Sequence, residues 1–223
     1  MRFVKSHHKR EMSQYDYKPV YERSLPHIQP PGATLFVTFR LAGSIPQDVL
    51  ERLKAQAEEN EQAIISNANP AGQGDLLYEE RKKQFGRWDQ YLDQASQGPF
   101  WLRQPQIAKI MLEALHFRDG DVYDLDAFTV MPNHVHVLFR PLEKSDEVYH
   151  AQQTIMHSLK RHTARQANKV LQREGAFWQH ESYDHVVRSQ KELERIIAYI
   201  LNNPVKAGLV EEWHEWPWTW LRS

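Results

Sequence analysis

Cysteine is absent from this chain of 223 residues. Its absence excludes a disulfide framework and any metal site built on thiolates, so a metal would have to be held by histidine, carboxylate or amide oxygen. Long apolar runs are missing too, and the first ten residues lack the apolar stretch of a signal peptide. These absences predict a cytoplasmic protein without a membrane partner.

The net charge of the chain is also small. The formal value is −1 at pH 7, which gives no overall indication of a nucleic-acid partner. The charge is unevenly distributed, however: residues 47–95 carry six Lys/Arg against ten Asp/Glu, whereas residues 140–210 carry eleven against eight. A mildly basic C-terminal half is compatible with phosphate contacts, although ordinary solvated surface produces the same imbalance.

The most informative segment is residues 131–139, MPNHVHVLF, where two histidines flank one valine in a strand-like run. Side chains of a strand alternate between its faces, so His134 and His136 point one way and Val135 points the other. Two neutral imidazoles one strand repeat apart can bind a single divalent ion. The pattern equally fits two polar residues on the wet face of a half-buried strand.

Hydrophobic periodicity predicts an α+β chain. The predicted strands are 34–41, 123–130, 134–140 and 183–188, and the predicted helices are 46–65, 76–95, 106–117, 148–171 and 192–201. Without the two helices after the first strand, the order is βαββαβ plus a final helix, the ferredoxin-like (RRM-like) split βαβ arrangement. We expect an antiparallel sheet with helices on one face, the other face free for ligands, and the histidine strand in a central position.

We expect one domain over residues 1–223. Its parts are an N-terminal arm (1–30), a helical insertion (about 47–96) that contains a loop at 67–74, a core (100–210) and a Trp-rich tail (211–223). The tail tryptophans could stack on bases, but packing in the core is the preferred interpretation.

The final predicted helix carries a second pair of polar side chains. Its apolar residues form one arc, and Tyr199 lies roughly 130° from the centre of that arc at 100° per residue. Asn203 follows one turn later, within about 40° of Tyr199. A phenol and an amide oxygen therefore project together from the polar side. The alternative is an interfacial tyrosine followed by an asparagine that caps the helix before Pro204.

Taken together, these segments resemble the single-tyrosine HUH transposases, in particular the REP-associated tyrosine transposases of bacteria. The resemblance spans roughly residues 24–220. It is carried by 132–136 (PNHVH), 198–210 (AYILNNPVKAGLV), 25–34 (LPHIQPPGAT), 36–43 (FVTFRLAG), 100–102 (FWL), 177–179 (FWQ), 183–188 (YDHVVR) and 216–218 (WPW). The insertion departs from the pattern of a minimal member, and no role in the chemistry is assigned to it.

The resemblance implies a role for each polar group. His134, His136 and Asn203 would hold Mg²⁺ or Mn²⁺, and two imidazoles with an amide suit Mn²⁺ somewhat better. Tyr199 would attack a phosphate of single-stranded DNA and form a 5′-phosphotyrosine. The implied partner is single-stranded or hairpin DNA of repetitive extragenic palindromes (REP), with a monomer or homodimer acting at the nucleoid.

Several cations are candidates for holding the DNA backbone. Arg161, Arg165 and Lys169 repeat every fourth residue on one helix, where a solvated face is the default interpretation. Lys206 is close in sequence to Asn203. The remaining candidates are His185 and Arg188, which lie on the last predicted strand and could face the site or simply cap the sheet. Residues 29–33 of the arm could also touch DNA.

Two other functions fit parts of this pattern. The same sheet could be a non-catalytic module that binds nucleic acid by stacking, but such a module has no need of a nucleophile beside a metal ligand. A metal-dependent hydrolytic nuclease would use water and leave Tyr199 as a hydrogen-bond donor. A lasting covalent protein–DNA adduct separates the transposase from both alternatives.

Overall fold

A five-stranded antiparallel sheet forms the centre of the protein. The structure is a computed structural model, and it describes residues 20–22, 26–28, 30–95, 97–146 and 148–223. The described strands are β1 (Val20–Glu22), β2 (Pro26–Ile28), β3 (Leu35–Arg40), β4 (Tyr123–Val130), β5 (His134–Pro141), β6 (Glu143–Ser145), β7 (Val148–Tyr149), β8 (Tyr183–Val186) and β9 (Thr219–Leu221). The described α-helices are α1 (Gln47–Asn67), α2 (Pro70–Gln94), α3 (Pro105–His116), α4 (Gln152–Val170) and α5 (Gln190–Lys206).

The strand order of the central sheet is β8-β3-β5-β4-β9, and every pair is antiparallel. Its first four strands have the order of the ferredoxin-like split βαβ fold, with α3 and α4 as the two connecting helices. β9 adds a fifth strand that the sequence did not predict. The predicted fold class is confirmed, and β5, the strand of the histidines, is central.

One face of the sheet packs against α3 and α4. Val37 and Val137 from neighbouring strands are buried there together with Met111 of α3 and Leu159 of α4. Full burial of such a side chain stabilises the fold by roughly 1.5–3 kcal/mol. This layer therefore holds β3 and β5 rigidly, and with them the polar residues on their opposite face.

The opposite face, which carries the histidines, is also covered by helices. Ile200 of α5 packs there against Phe36 and Leu138. Helix α2 reaches the same face through Phe85, whose ring stacks on Tyr183 with the centroids 4.0 Å apart. This differs from the expectation that helices cover one face only, because the periodicity of a helix shows which side is apolar but not which strand it will meet.

The insertion forms two helices with an apolar cluster of their own. Val49 and Leu50 of α1 pack with Leu92 of α2 and with Ile45 just before α1. Helix α2 begins at Pro70, so most of the predicted loop at 67–74 is helical. Proline is well tolerated at the first position of a helix, where its missing N–H would have no partner in the helix.

The two ends of the chain contain short strands that the sequence did not predict, and tail tryptophans pack against the core as expected. β1 and β2 pair within the predicted arm, with Val20 opposite Ile28, while residues 1–19, 23–25 and 29 lie outside the described part. At the other end, Trp216 Nε1 donates to the Val130 carbonyl at 3.0 Å. Trp218 and Trp220 pack against the apolar core. None of the described helices combines the length and apolar composition needed to cross a bilayer.

Helix α5 begins after a capping serine. Ser189 Oγ accepts a hydrogen bond from the Glu192 N–H at 3.2 Å. We expect Ser189→Ala to lower the free energy of unfolding by about 1 kcal/mol, because that N–H loses its acceptor. Ser189→Asp should retain the stability, since aspartate also caps and its charge suits a helix N-terminus. Urea unfolding measures both, and equal stability of the alanine variant and wild type would contradict the assignment.

Candidate active site

The two histidines of β5 lie side by side in the interior. Because side chains alternate along the strand, Val135 and Val137 enter the apolar core while His134 and His136 point to the α2/α5 side. Both imidazoles are fully buried. Their Nε2 atoms are 3.0 Å apart. The structure therefore brings the pair together, away from the wet sheet surface of the alternative interpretation.

Hydrogen bonds at the far side of each ring orient the histidines. Asn133 Nδ2 donates to the Leu92 carbonyl at 2.9 Å, which leaves Asn133 Oδ1 to accept from His134 Nδ1 at 2.6 Å. His134 then carries its proton on Nδ1 and presents an Nε2 lone pair to the site. His136 Nδ1 lies 2.7 Å from Thr38 Oγ1, its cross-strand neighbour on β3. Such contacts fix the tautomer and the rotation of metal-binding histidines.

The insertion contributes a carboxylate to the same point. Asp89 Oδ1 of α2 lies 3.2 Å from His136 Nε2 and 3.8 Å from His134 Nε2. Asp93, one turn later, places its Oδ1 3.9 Å from His134 Nε2. The sequence offered only a weak signal for this, two acidic residues four apart on a charged helix. Assigning no chemistry to the insertion therefore missed both carboxylates.

Burial and mutual charge set the protonation of this cluster. Burial, reinforced by the neighbouring His136, lowers the pKa of His134 to about 3, so the ring is neutral, the form that binds metals. Burial alone would raise the pKa of Asp89, but His136, His134 and Lys206 outweigh it and keep that pKa below its usual value. Burial and the charge of Asp89 both raise the pKa of Asp93. Asp89 is thus the more readily ionised of the two.

Tyr199 of α5 reaches the cluster from the other helix. Its ring packs edge-on against His136 and Phe36, with centroids 5.4 and 6.0 Å away. Its hydroxyl donates to Asp89 Oδ2. The predicted nucleophile and the predicted histidines therefore meet at one carboxylate.

Asn203 is placed differently from a helix cap. α5 continues through Pro204 to Lys206, and the capping position is Ala207, so the predicted end at residues 202–204 is wrong. Asn203 is only 1% exposed. Its side-chain nitrogen and oxygen have no hydrogen-bond partner among the described residues. Buried amides almost always have a partner, so this one is available to a ligand.

Lys206 is the one predicted DNA-binding cation that the described structure brings to the cluster. Its Nζ lies 2.8 Å from Asp93 Oδ2 and 4.0 Å from Asp89 Oδ2. It also lies 5.8 Å from the centre of the Tyr199 ring. A cation in this position favours negative charge on the carboxylates or on any anion that replaces them.

The other predicted cations are elsewhere. Helix α4 packs on the opposite face of the sheet, and the three predicted cations that it carries are exposed there, far from the histidine face: Arg161, Arg165 and Lys169. His185 Nε2 instead lies 3.2 Å from both the Tyr78 hydroxyl and Glu192 Oε1. The Arg188 guanidinium stacks 3.8 Å over the Tyr78 ring. These two residues join the insertion to α5 rather than facing the cluster.

The residues present fit a divalent metal. One ligand atom each from Asp89, His134 and His136 lies within 4.8 Å of the others, and all three residues are buried. Asp89 Oδ1 lacks a hydrogen-bond donor among the described residues, as does the Asn203 amide. Imidazole nitrogen with carboxylate and amide oxygen is a donor set suited to Mn²⁺ and tolerated by Mg²⁺.

We expect Thr38→Val to reduce Mn²⁺ affinity by roughly tenfold, because His136 loses the contact that orients its ring. Valine has nearly the same shape, so the fold should be unchanged. Thr129→Val is the matched control: Thr129 is also a cross-strand neighbour of His136, but its hydroxyl bonds Thr219 Oγ1 at 2.7 Å instead. Titration calorimetry measures both affinities, and equal losses in the two variants would contradict the role of Thr38.

Residues 104–203 match the family described as "Transposase IS200 like". A protein of Haemophilus influenzae named as a REP-associated tyrosine transposase is 31% identical over 103 residues, which cover 44% of this chain and 58% of that protein. A REP-associated tyrosine transposase of Escherichia coli K12 is 25% identical over 97 residues, which cover 44% of this chain and 53% of the relative. The chain thus spans little more than half the length of these relatives.

A solved structure of a REP-associated tyrosine transposase bound to a REP hairpin is 17% identical and covers 85% of this chain and 77% of that one, with a TM-score of 0.46. The matched range 104–203 contains both histidines of β5, Tyr199 and Asn203. It begins after the insertion and does not include it. Residues 104–203 are thus similar to the IS200-like transposases, and both curated relatives are named as REP-associated tyrosine transposases, the family that the motifs of this chain resemble.

Proposed function

We propose that this protein is a DNA strand transferase that cleaves and rejoins single-stranded DNA through a covalent bond to Tyr199. The observation that carries the proposal is the meeting of the Tyr199 hydroxyl with the buried His134–His136 pair at a single carboxylate, Asp89. A nucleophile, a potential metal site and a cation, Lys206, are thereby gathered in one place. A binding module would have no use for this arrangement.

The metal would be Mg²⁺ or Mn²⁺, held by His134, His136 and Asn203. When bound, it supplies Lewis-acid polarisation of a non-bridging phosphate oxygen. Thr38 and Asn133 hold the two imidazoles in the orientation that presents Nε2. Tyr199 is kept beside them by the edge-on packing of its ring against Phe36.

The reaction consists of two successive phosphoryl transfers, cleavage and rejoining. The Tyr199 oxygen forms a bond to phosphorus and loses its proton, while the bond from phosphorus to the 3′ oxygen breaks and that oxygen gains a proton. A 5′-phosphotyrosine and a free 3′-hydroxyl result. Attack by another 3′-hydroxyl reverses the exchange and releases Tyr199. A phenol has a pKa near 10 in water, so the Tyr199 hydroxyl must give up its proton as it attacks.

We further propose that the substrate is hairpin DNA of the REP type and that the protein works in the cytoplasm at the nucleoid, as a monomer or homodimer. The names of the curated relatives support the REP substrate. A stem could contact the basic residues of α4 while its single-stranded flank enters the site. That division of contacts accounts for cations on both faces of the sheet.

The test is incubation of the protein with end-labelled hairpin DNA and Mn²⁺, followed by a denaturing gel. We expect a shifted band that resists denaturant and disappears with chelator. Cleavage without such an adduct would identify a hydrolytic nuclease instead. Binding without cleavage across a panel of hairpins would identify a binding module.

A further inference from the structure

We propose that helix α2 is a lid over the catalytic centre, and that the Asp89 carboxylate occupies the subsite of the scissile phosphate. This inference rests on the proposed function and adds its regulation. The lid consists of the insertion helices α1 and α2. In this structure the lid is closed. DNA enters only when the lid moves away.

The first observation is that the site is closed. His134 and His136 have no exposed surface, and Asp89 is 1% exposed. A nucleic-acid strand, far larger than a water molecule, has no access to atoms so deeply buried. The cover on this side is α2: Phe85 stacks on Tyr183 and lies 6.4 Å from the ring centre of His136. Strand transfer at Tyr199 therefore requires α2 to leave.

The second observation is what Asp89 contacts. Its oxygens lie beside the Tyr199 hydroxyl, 3.2 Å from His136 Nε2 and 4.0 Å from Lys206 Nζ. A scissile phosphate needs the same three neighbours: the attacking oxygen, the metal-binding histidines and a cation. A carboxylate, like a phosphodiester, carries one negative charge shared between two oxygens, and Asp89 supplies such an anion from the protein itself. Asp89 and the phosphate cannot occupy this position together, because like charges at such distances repel strongly.

The third observation concerns how α2 is attached. Its links to the core include polar contacts at both ends, from Tyr78 to Glu192 at 3.0 Å and from Asp93 to Lys206 at 2.8 Å. Such bonds exchange for water at a small net cost. The apolar cluster that joins α1 to α2 stays intact when the two helices move together. Opening therefore keeps that cluster buried and breaks the apolar contacts of Phe85 with Phe36 and Tyr183.

The chain also provides a pivot. The insertion leaves the core near Gly43 and returns near Gly98, and both glycines have positive φ, +78° and +115°. A Cβ on Gly98 would lie 3.4 Å from the Gly43 carbonyl oxygen, so the two ends of the insertion are in contact. A pair of adjacent attachment points lets the helices swing as one body.

Because the chain has no cysteine, the lid can be locked with one introduced thiol pair. Gln90 of α2 and Ala207 at the end of α5 line the same cleft, and neither belongs to the catalytic machinery. In Gln90→Cys/Ala207→Cys, a short bis-methanethiosulfonate reagent would bridge the two thiols. Each single-cysteine variant with the same reagent is the control.

The readouts are binding of fluorescein-labelled, random-sequence single-stranded DNA, followed by anisotropy, and adduct formation with hairpin DNA. We expect the bridged protein to bind the single strand at least about tenfold more weakly and to form no adduct, with both restored by reductant. If the bridged and the reduced protein bind the single strand equally, or if neither binds it, the lid proposal is contradicted. If the bridge weakens binding of the single strand but no adduct forms in either the bridged or the reduced protein, the lid is supported and the proposed chemistry is rejected.

Asp89→Ala tests the phosphate subsite itself. In a Tyr199→Phe background, which prevents covalent capture, we expect Asp89→Ala to bind the same DNA at least about tenfold more tightly, because the competing anion is gone. Mn²⁺ affinity, measured by calorimetry, should fall much less than in His136→Ala. Weaker DNA binding, or a loss of Mn²⁺ affinity equal to that of His136→Ala, would make Asp89 a required metal ligand and overturn its role as a phosphate substitute.

Discussion

Tyr199→Phe is expected to abolish covalent attachment of the protein to DNA and to reduce strand cleavage by about 10³-fold or more, as is usual when a nucleophile is removed. Phenylalanine keeps the ring that packs against Phe36 and His136, so the helix should hold its place. Only the hydroxyl, and its hydrogen bond to Asp89, is lost. The measurement is the yield of denaturant-resistant protein–DNA complex with hairpin DNA and Mn²⁺.

The matched control is Tyr183→Phe. Tyr183 lies on the same face of the sheet and packs against the same Phe36, yet it has no contact with Asp89 among the described hydrogen bonds. We expect the control to retain adduct formation. Mn²⁺ affinity should be unchanged in both variants. An adduct of normal yield in Tyr199→Phe would show that another group is the nucleophile.

Asn203→Leu is expected to make the metal-free protein more stable and the metal-dependent activity vanish. Within the described part of the chain the buried amide lacks a partner on both its nitrogen and its oxygen, and an unpaired buried polar group costs about 1–3 kcal/mol. Leucine has a similar size and removes that cost. It also removes the proposed third ligand, so Mn²⁺ should stabilise the wild type by mass action but stabilise the variant far less.

Urea unfolding in chelator and in Mn²⁺ separates these two effects. In chelator, we expect the free energy of unfolding of Asn203→Leu to exceed that of the wild type by about 1–2 kcal/mol. Asn202→Leu is the neighbour control, because Asn202 is exposed and bonds the Ala198 carbonyl within its own helix. Destabilisation of Asn203→Leu in chelator, with Mn²⁺ stabilisation retained, would make Asn203 a structural residue.

The extent of α5 illustrates a limit of local rules. A proline after two asparagines predicts a helix end, because proline lacks an N–H for the helix ladder. In the structure Pro204 is buried in the last turn, and the helix closes later, where the Leu209 N–H donates to the Pro204 carbonyl at 2.9 Å and Gly208 has positive φ. Tertiary burial of this turn outweighs the loss of one hydrogen bond. The same extension turns Asn203 from a cap into an interior residue.

By itself, the sequence determined the fold class, the central position of β5, the shared face of His134 and His136, and the neighbouring positions of Tyr199 and Asn203 on one helix. These follow from periods of two and 3.6 residues, which are properties of a single segment. The family motifs added the expected roles, because they join segments far apart in the chain.

Only the tertiary structure decided that α2 crosses the histidine face and that Asp89 stands between His136 and Tyr199. Local patterns cannot supply this contact, because Asp89 is 45 or more residues from each histidine and 110 from Tyr199 along the chain, and an acidic residue on a charged helix usually faces solvent. Its burial depends on the docking of the whole helix α2. That docking is the sum of many side-chain contacts and cannot be predicted from any single residue. The docking of that helix decides whether the predicted catalytic centre is open or closed.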